Sequence, residues 1–327
     1  MDQDLELESG DDELEVKEGS EEEVRNVEEE GSENAATESD VEPAEEEIEE
    51  DPVDEQAVAE AKVQEYLARQ AELALRKEEV ERVKAAGDWH PDEIYLFERL
   101  SMRSFEQIIP AEWKVDLPSL PETLFTTDPE KMFVKSNYRT SYSGVRALQR
   151  LLALGIRVRD RLLSPGRRPE ELITREIKAY IKWAENDGDY RKRRFIPVLT
   201  LVSARRRQTT ESLSNSITHE MMFLAQKHRE DLAIPSEGQN GAVKYRRPPP
   251  LLYGIIVAQS MAIFVTLDSA NPDAKVRHLT HFDFKEKDMV VWNGFAIAFI
   301  VTMAKDYIIS IRDDLEIDDT PDSDPDA

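Results

Sequence analysis

Three residues toward the C-terminal end carry the sharpest hint of an enzyme. Asp268 closes one apolar run, and Asp283-Phe284-Lys285 closes the next. A second group suits recognition. On a helix read over about Ser143–Leu163, Arg146, Arg150, Arg157 and Arg161 fall within about 60° of one another. Leu148, Leu151, Leu152, Val158, Leu162 and Leu163 fill the opposite side, and Arg159 alone points into that apolar sector, where it needs a carboxylate or carbonyl partner. A following helix opens at Pro169 with Glu170 and Glu171 in its first turn, carries Arg175, Lys178 and Lys182 on a basic face, and stops at Asn186-Asp187-Gly188. Guanidinium rows of this kind bind phosphates or carboxylates; the alternative is a solvated face. No aromatics interleave with the arginines, which disfavours single-stranded nucleic acid as the ligand.

The charge distribution makes those basic helices unusual. The chain of 327 residues has a formal net charge of −27. Residues 1–55 hold 27 acids against Lys17 and Arg25, residues 313–327 hold eight acids and no base, and residues 135–207 have a net charge of +12. Both acidic ends lack the apolar content to offset an ordering cost of roughly 1–2 kcal/mol per residue, so disorder is expected there. Their glutamate runs can hold basic partners such as histone tails, or fold back on the basic helices.

Between these ends, a polar spacer helix is expected over 56–87, with Glu65–Arg69, Glu72–Arg76 and Glu78–Arg82 at i,i+4 spacing. One globular domain follows over 88–312, with a helical part (88–190) and a strand-containing part (191–312). Trp89, Tyr95, Phe97, Phe105, Trp113 and Phe125 either plug its core or anchor a surface-wrapping segment. Phe195–Ala204 reads as a buried strand between Arg191–Arg194 and Arg205–Arg207. Those clusters are either an import signal or the charged ends of a folded strand. A helix is expected over Ser216–Asp231 and a loop over Pro235–Pro250. Leu251–Leu267 reads as one long buried strand or two with a bend, Val276–Phe284 as a returning strand, and Val290–Ile311 as an apolar helix. The class is α+β: a mostly helical region, then a small buried sheet and a C-terminal apolar helix. The apolar runs Leu251–Leu267 and Met289–Ala304 fall short of the roughly 20 residues of a bilayer span, so no membrane partner is expected.

Several chemistries are disfavoured. The chain has no cysteine, hence no disulfide or thiolate metal site, and an intracellular compartment is favoured. His219-Glu220 with His228 is not a zinc motif, and His278 and His281, three apart in a strand, should face opposite sides. Walker, GxGxxG and GxSxG patterns are missing.

The strand pair ending in Asp268 and Asp283-Phe284-Lys285 resembles the metal-binding core of PD-(D/E)XK nucleases, although the Pro-Asp of that motif is missing before Asp268. The resemblance covers 251–312 and implies Mg²⁺ held by Asp268 and Asp283, with Lys285 beside the water. A further resemblance runs through Asp88–Phe125 and through LLYGIIVAQSMAIFVTLDS…VRHLTHFDF, which are similar to uncharacterised nuclear proteins of filamentous fungi. It implies a nuclear location and no mechanism. The favoured expectation is a non-enzymatic nuclear adaptor or assembly subunit without a cofactor. It would bind chromatin-type partners (a protein of a nuclear complex, histones or DNA) through Arg146, Arg150, Arg157, Arg161, Arg175, Lys178 and Lys182. The alternative is the nuclease fold, active or degenerate, acting on DNA.

Overall fold

The computed structural model describes residues 55–164, 166–234 and 243–318. The expected disorder of residues 1–54 and 319–327 lies outside them, as does the first half of the loop expected over Pro235–Pro250. The class is α+β.

Helix α1 (Glu55–Ala86) is the spacer, and most of it is exposed. Its C-terminal part docks on α2 (Pro91–Met102), where Val80 is buried and Lys84 pairs with Glu98 at 3.3 Å. His90 caps α2: its ring accepts from the Asp92 amide, and Glu93 accepts from the His90 amide. The segment to residue 140 winds through two 3₁₀ turns and a two-residue parallel bridge, β1 (Ile109–Pro110) with β2 (Phe125–Thr126). Of the aromatics read over Asp88–Phe125, Trp113 and Phe125 are buried and Trp89 and Phe97 pack against the core, so these four plug the protein's own interior. Tyr95 stays exposed.

The helix read over Ser143–Leu163 is two helices, α3 (Ser141–Leu152) and α4 (Leu154–Leu162), broken at Ala153. No proline marks the break. Gly155 lies directly against Val290, so tertiary packing sets the bend. Helix α5 (Pro169–Asp187) buries Ile173, Ile177, Tyr180 and Ala184 on its expected apolar face.

A four-stranded sheet has the order β3-β4-β5-β6. Strand β3 (Leu199–Ser203) runs parallel to β4 (Leu251–Ala258), and helix α6 (Thr210–Leu232) makes the crossover that parallel pairing requires. The long apolar run resolves into a hairpin: β4 turns at Gln259-Ser260, with Gln259 at φ +53°, into antiparallel β5 (Met261–Asp268). Strand β6 (Arg277–Asp283) completes the sheet. Side-chain alternation separates its two covers. Thr200 and Gly254 face α6, where Thr200 donates to Glu220 and Met221 fills the space over Gly254. Thr266, opposite Tyr253 in the register, faces α2 and donates to buried Glu93 at 2.5 Å.

Helix α7 (Val290–Ile311) is long and apolar enough to cross a membrane, by length and composition. However, 72% of its most apolar window is buried within the fold, where it packs on α2, α3, α4 and α5. It crosses α3 so closely that a Cβ at Gly294 would stand 2.8 Å from the Leu151 carbonyl oxygen. The acidic stretch expected to be disordered from Asp313 begins with structure. Residues Arg312–Asp314 form a 3₁₀ turn, and Ile317 then bridges antiparallel to Arg193.

Candidate interaction surface

The structure separates the residues of the nuclease-like constellation. Asp268 pairs with Leu251 at the end of β5, whereas Asp283 pairs with Met261 at its start. A span of seven residues at about 3.3 Å each puts the two carboxylates roughly 23 Å apart. A cation whose oxygen ligands stand at about 2.0–2.6 Å cannot bridge them, so the Mg²⁺ site read from Asp268 and Asp283 is corrected. Each carboxylate closes a local turn. Asp268 accepts from the Ala270 amide at 2.9 Å, and Asp283 accepts from Ser260 Oγ at 2.7 Å and the Lys285 amide at 3.0 Å. Lys285 Nζ is exposed, 3.9 Å from Asp283. No cluster of three or more metal-ligating side chains occurs among the described residues. His278 and His281 depart from simple alternation: a register shift beside Phe264/Val265 brings their rings to 5.9 Å.

Most of the arginine stripe is paired within the fold. Glu176 on α5 is 1% exposed and collects three guanidiniums: Arg150 at 2.8 Å, Arg157 at 3.2 Å and Arg175 at 3.1 Å. Burial pushes the Glu176 carboxyl up, but the bonds from Arg157, Arg150 and Arg175 outweigh it and hold the group below its ordinary range. Arg161 donates to the Arg168 carbonyl at 2.8 Å and pairs with Glu171. Arg159, expected to need a partner, has a buried Nη1 with none among the described residues. Arg146 is exposed on α3.

The cations expected on α5 divide at Glu176. Arg175 belongs to the cluster, whereas Lys178 and Lys182 are exposed and line an open cleft of about 450 Å³. Arg191 stands with them, Leu199, Thr200 and Leu201 of β3 form the floor, and Glu220 and Leu224 of α6 form the far wall. Two acids enter the cleft. Glu220 accepts from Thr200 Oγ1 at 2.5 Å, and Glu185 is raised above its usual range by burial, against the pull of Arg191 and Lys182. Past β3, Arg205, Arg206 and Arg207 are exposed in a turn. The preceding basic run is folded in: Arg193 Nη1 donates to the carbonyls of Arg312 and Leu315, and Arg194 pairs with Asp318 at 3.3 Å. That geometry favours the strand-end reading of Arg193 and Arg194 over an extended import signal.

Sequence reasoning missed the polar centre of the fold. Lys305 of α7, 2% exposed, pairs with fully buried Asp187 at 3.1 Å and donates to the Lys135 carbonyl and to Asn137 Oδ1. Asp187 also accepts the amides of Asn137 and Arg139. Every polar group of the pair has a partner, as burial demands. The available signal was a lysine inside an apolar helix.

Comparison with protein-family models, curated proteins and solved structures finds no match to this chain.

Proposed function

We propose that the protein is a non-enzymatic adaptor or assembly subunit of a nuclear complex, holding an acidic partner protein through the cations around the β3 cleft. The supporting observation is that Lys178, Lys182 and Arg191 stand at the rim of an open cleft, whereas Arg150, Arg157 and Arg175 surround an internal carboxylate. Relative to the sequence-based expectation, the binding face moves from the α3–α4 stripe to α5 and the ends of β3. The nuclear placement rests on the resemblance to fungal nuclear proteins.

Affinity purification from native nuclear extract, read by quantitative mass spectrometry, tests this reading. The Lys178→Glu/Lys182→Glu/Arg191→Glu variant should lose the acidic proteins that the parent chain retains, and Arg146→Glu should keep them. Retention of every partner by the triple variant would remove the proposal.

A further inference from the structure

We infer that the open edge of β3 is a strand-addition site for an extended, acid-rich segment of a partner protein. The inference rests on the adaptor reading and specifies how the partner is held. Among the described residues, strand β3 ends the sheet, with β4 on one side and no strand on the other. Val198 accepts from the Tyr253 amide and the Ala204 amide donates to Val257, so the even-numbered residues bond to β4. Parallel-ladder alternation then points the N–H and C=O groups of Leu199, Leu201 and Ser203 outward. Among the described residues, none bonds to these outward groups. Unpaired backbone on an edge is a template for another strand. The cleft between α5 and α6 opens onto this edge.

Charge selects the occupant. An extended segment on β3 passes Lys178 and Lys182 on one wall and meets Arg191 before the strand and Arg205–Arg207 after it, six cations against Glu185 and Glu220 in the cleft. Two copies of this edge would bring like charges together, which disfavours self-pairing. Acidic side chains on every second residue would face the lysines while the backbone completes the ladder. The same chain already contains this recognition in miniature just upstream. Glu316, Ile317 and Asp318 pair antiparallel to Lys192–Arg194 through two backbone bonds, at 2.9 and 2.8 Å, and the Arg194–Asp318 ion pair.

A synthetic peptide alternating Glu and Val, added to the full chain, tests the inference by amide hydrogen exchange and by titration. Saturating peptide should slow exchange at Leu199, Leu201 and Ser203 by roughly tenfold or more, and a Ser/Val peptide should bind at least about tenfold more weakly. Ser203→Pro removes one outward N–H without touching the β4 ladder. It should weaken binding roughly fivefold, with folding verified by its melting curve. If Lys178→Glu/Lys182→Glu abolishes binding but the three amides gain no protection, strand addition is wrong and the adaptor reading survives. If charge reversal and proline both leave binding intact, both fail.

Discussion

Glu176 and Asp187 lie on the same helix, both withdrawn from solvent, yet they use cations in opposite ways. Asp187 meets a lysine that is itself buried, and together they fasten α5, α7 and the segment before α3. Glu176 gathers arginines whose far ends reach the surface, two of them more than half exposed. The first arrangement is an internal fastening, and the second is a surface clamp across α3, α4 and α5. Between the two carboxylates lie Lys178 and Lys182, which neither engages. The basic excess of a region therefore does not measure its capacity to bind, because a buried carboxylate can hold several positive charges in place.

Mutation can break this comparison most sharply at Asp187. Asp187→Ala leaves Lys305 buried without its counter-charge and should cost about 3–5 kcal/mol, read as a lower urea midpoint. Glu176→Gln should cost less, about 1–3 kcal/mol, because its arginines can turn to water. That gap should depend on pH. The folded-state acidity of Glu176 lies below its unfolded value of about 4.3, so its contribution is complete above that value and fades as pH falls through the folded value. The stability difference between the parent and Glu176→Gln should thus shrink below about pH 4. Lys178→Glu with Lys182→Glu should change stability by less than about 0.5 kcal/mol while weakening capture of acidic partners. Arg146→Glu should give the smallest effect, with melting and partner binding both close to those of the parent.

Much of the fold was legible where periodicity is local. The apolar run from Val290 to Ile311 becomes α7 with the same bounds, and the bend allowed for within Leu251–Leu267 becomes the hairpin turn at Gln259-Ser260. Other features depend on residues far apart in the chain. The break at Ala153 reflects Gly155 lying against Val290, and Asp187, read as part of a helix stop, meets a lysine 118 positions on. The site was half legible for the same reason. Helical spacing put the arginines of α3 and α4 on one side, but could not reveal that Glu176 would sit beneath them. Strand alternation likewise separated His278 from His281, and only the register shift beside Phe264 brings them together.

The crossing of α3 and α7 has a consequence for what the chain tolerates. At Gly294 the obstacle to a methyl group is the main chain of Leu151, which cannot swing aside as a side chain would. In a library randomised at that codon and selected for folded protein, alanine should already be depleted and glycine should dominate the survivors.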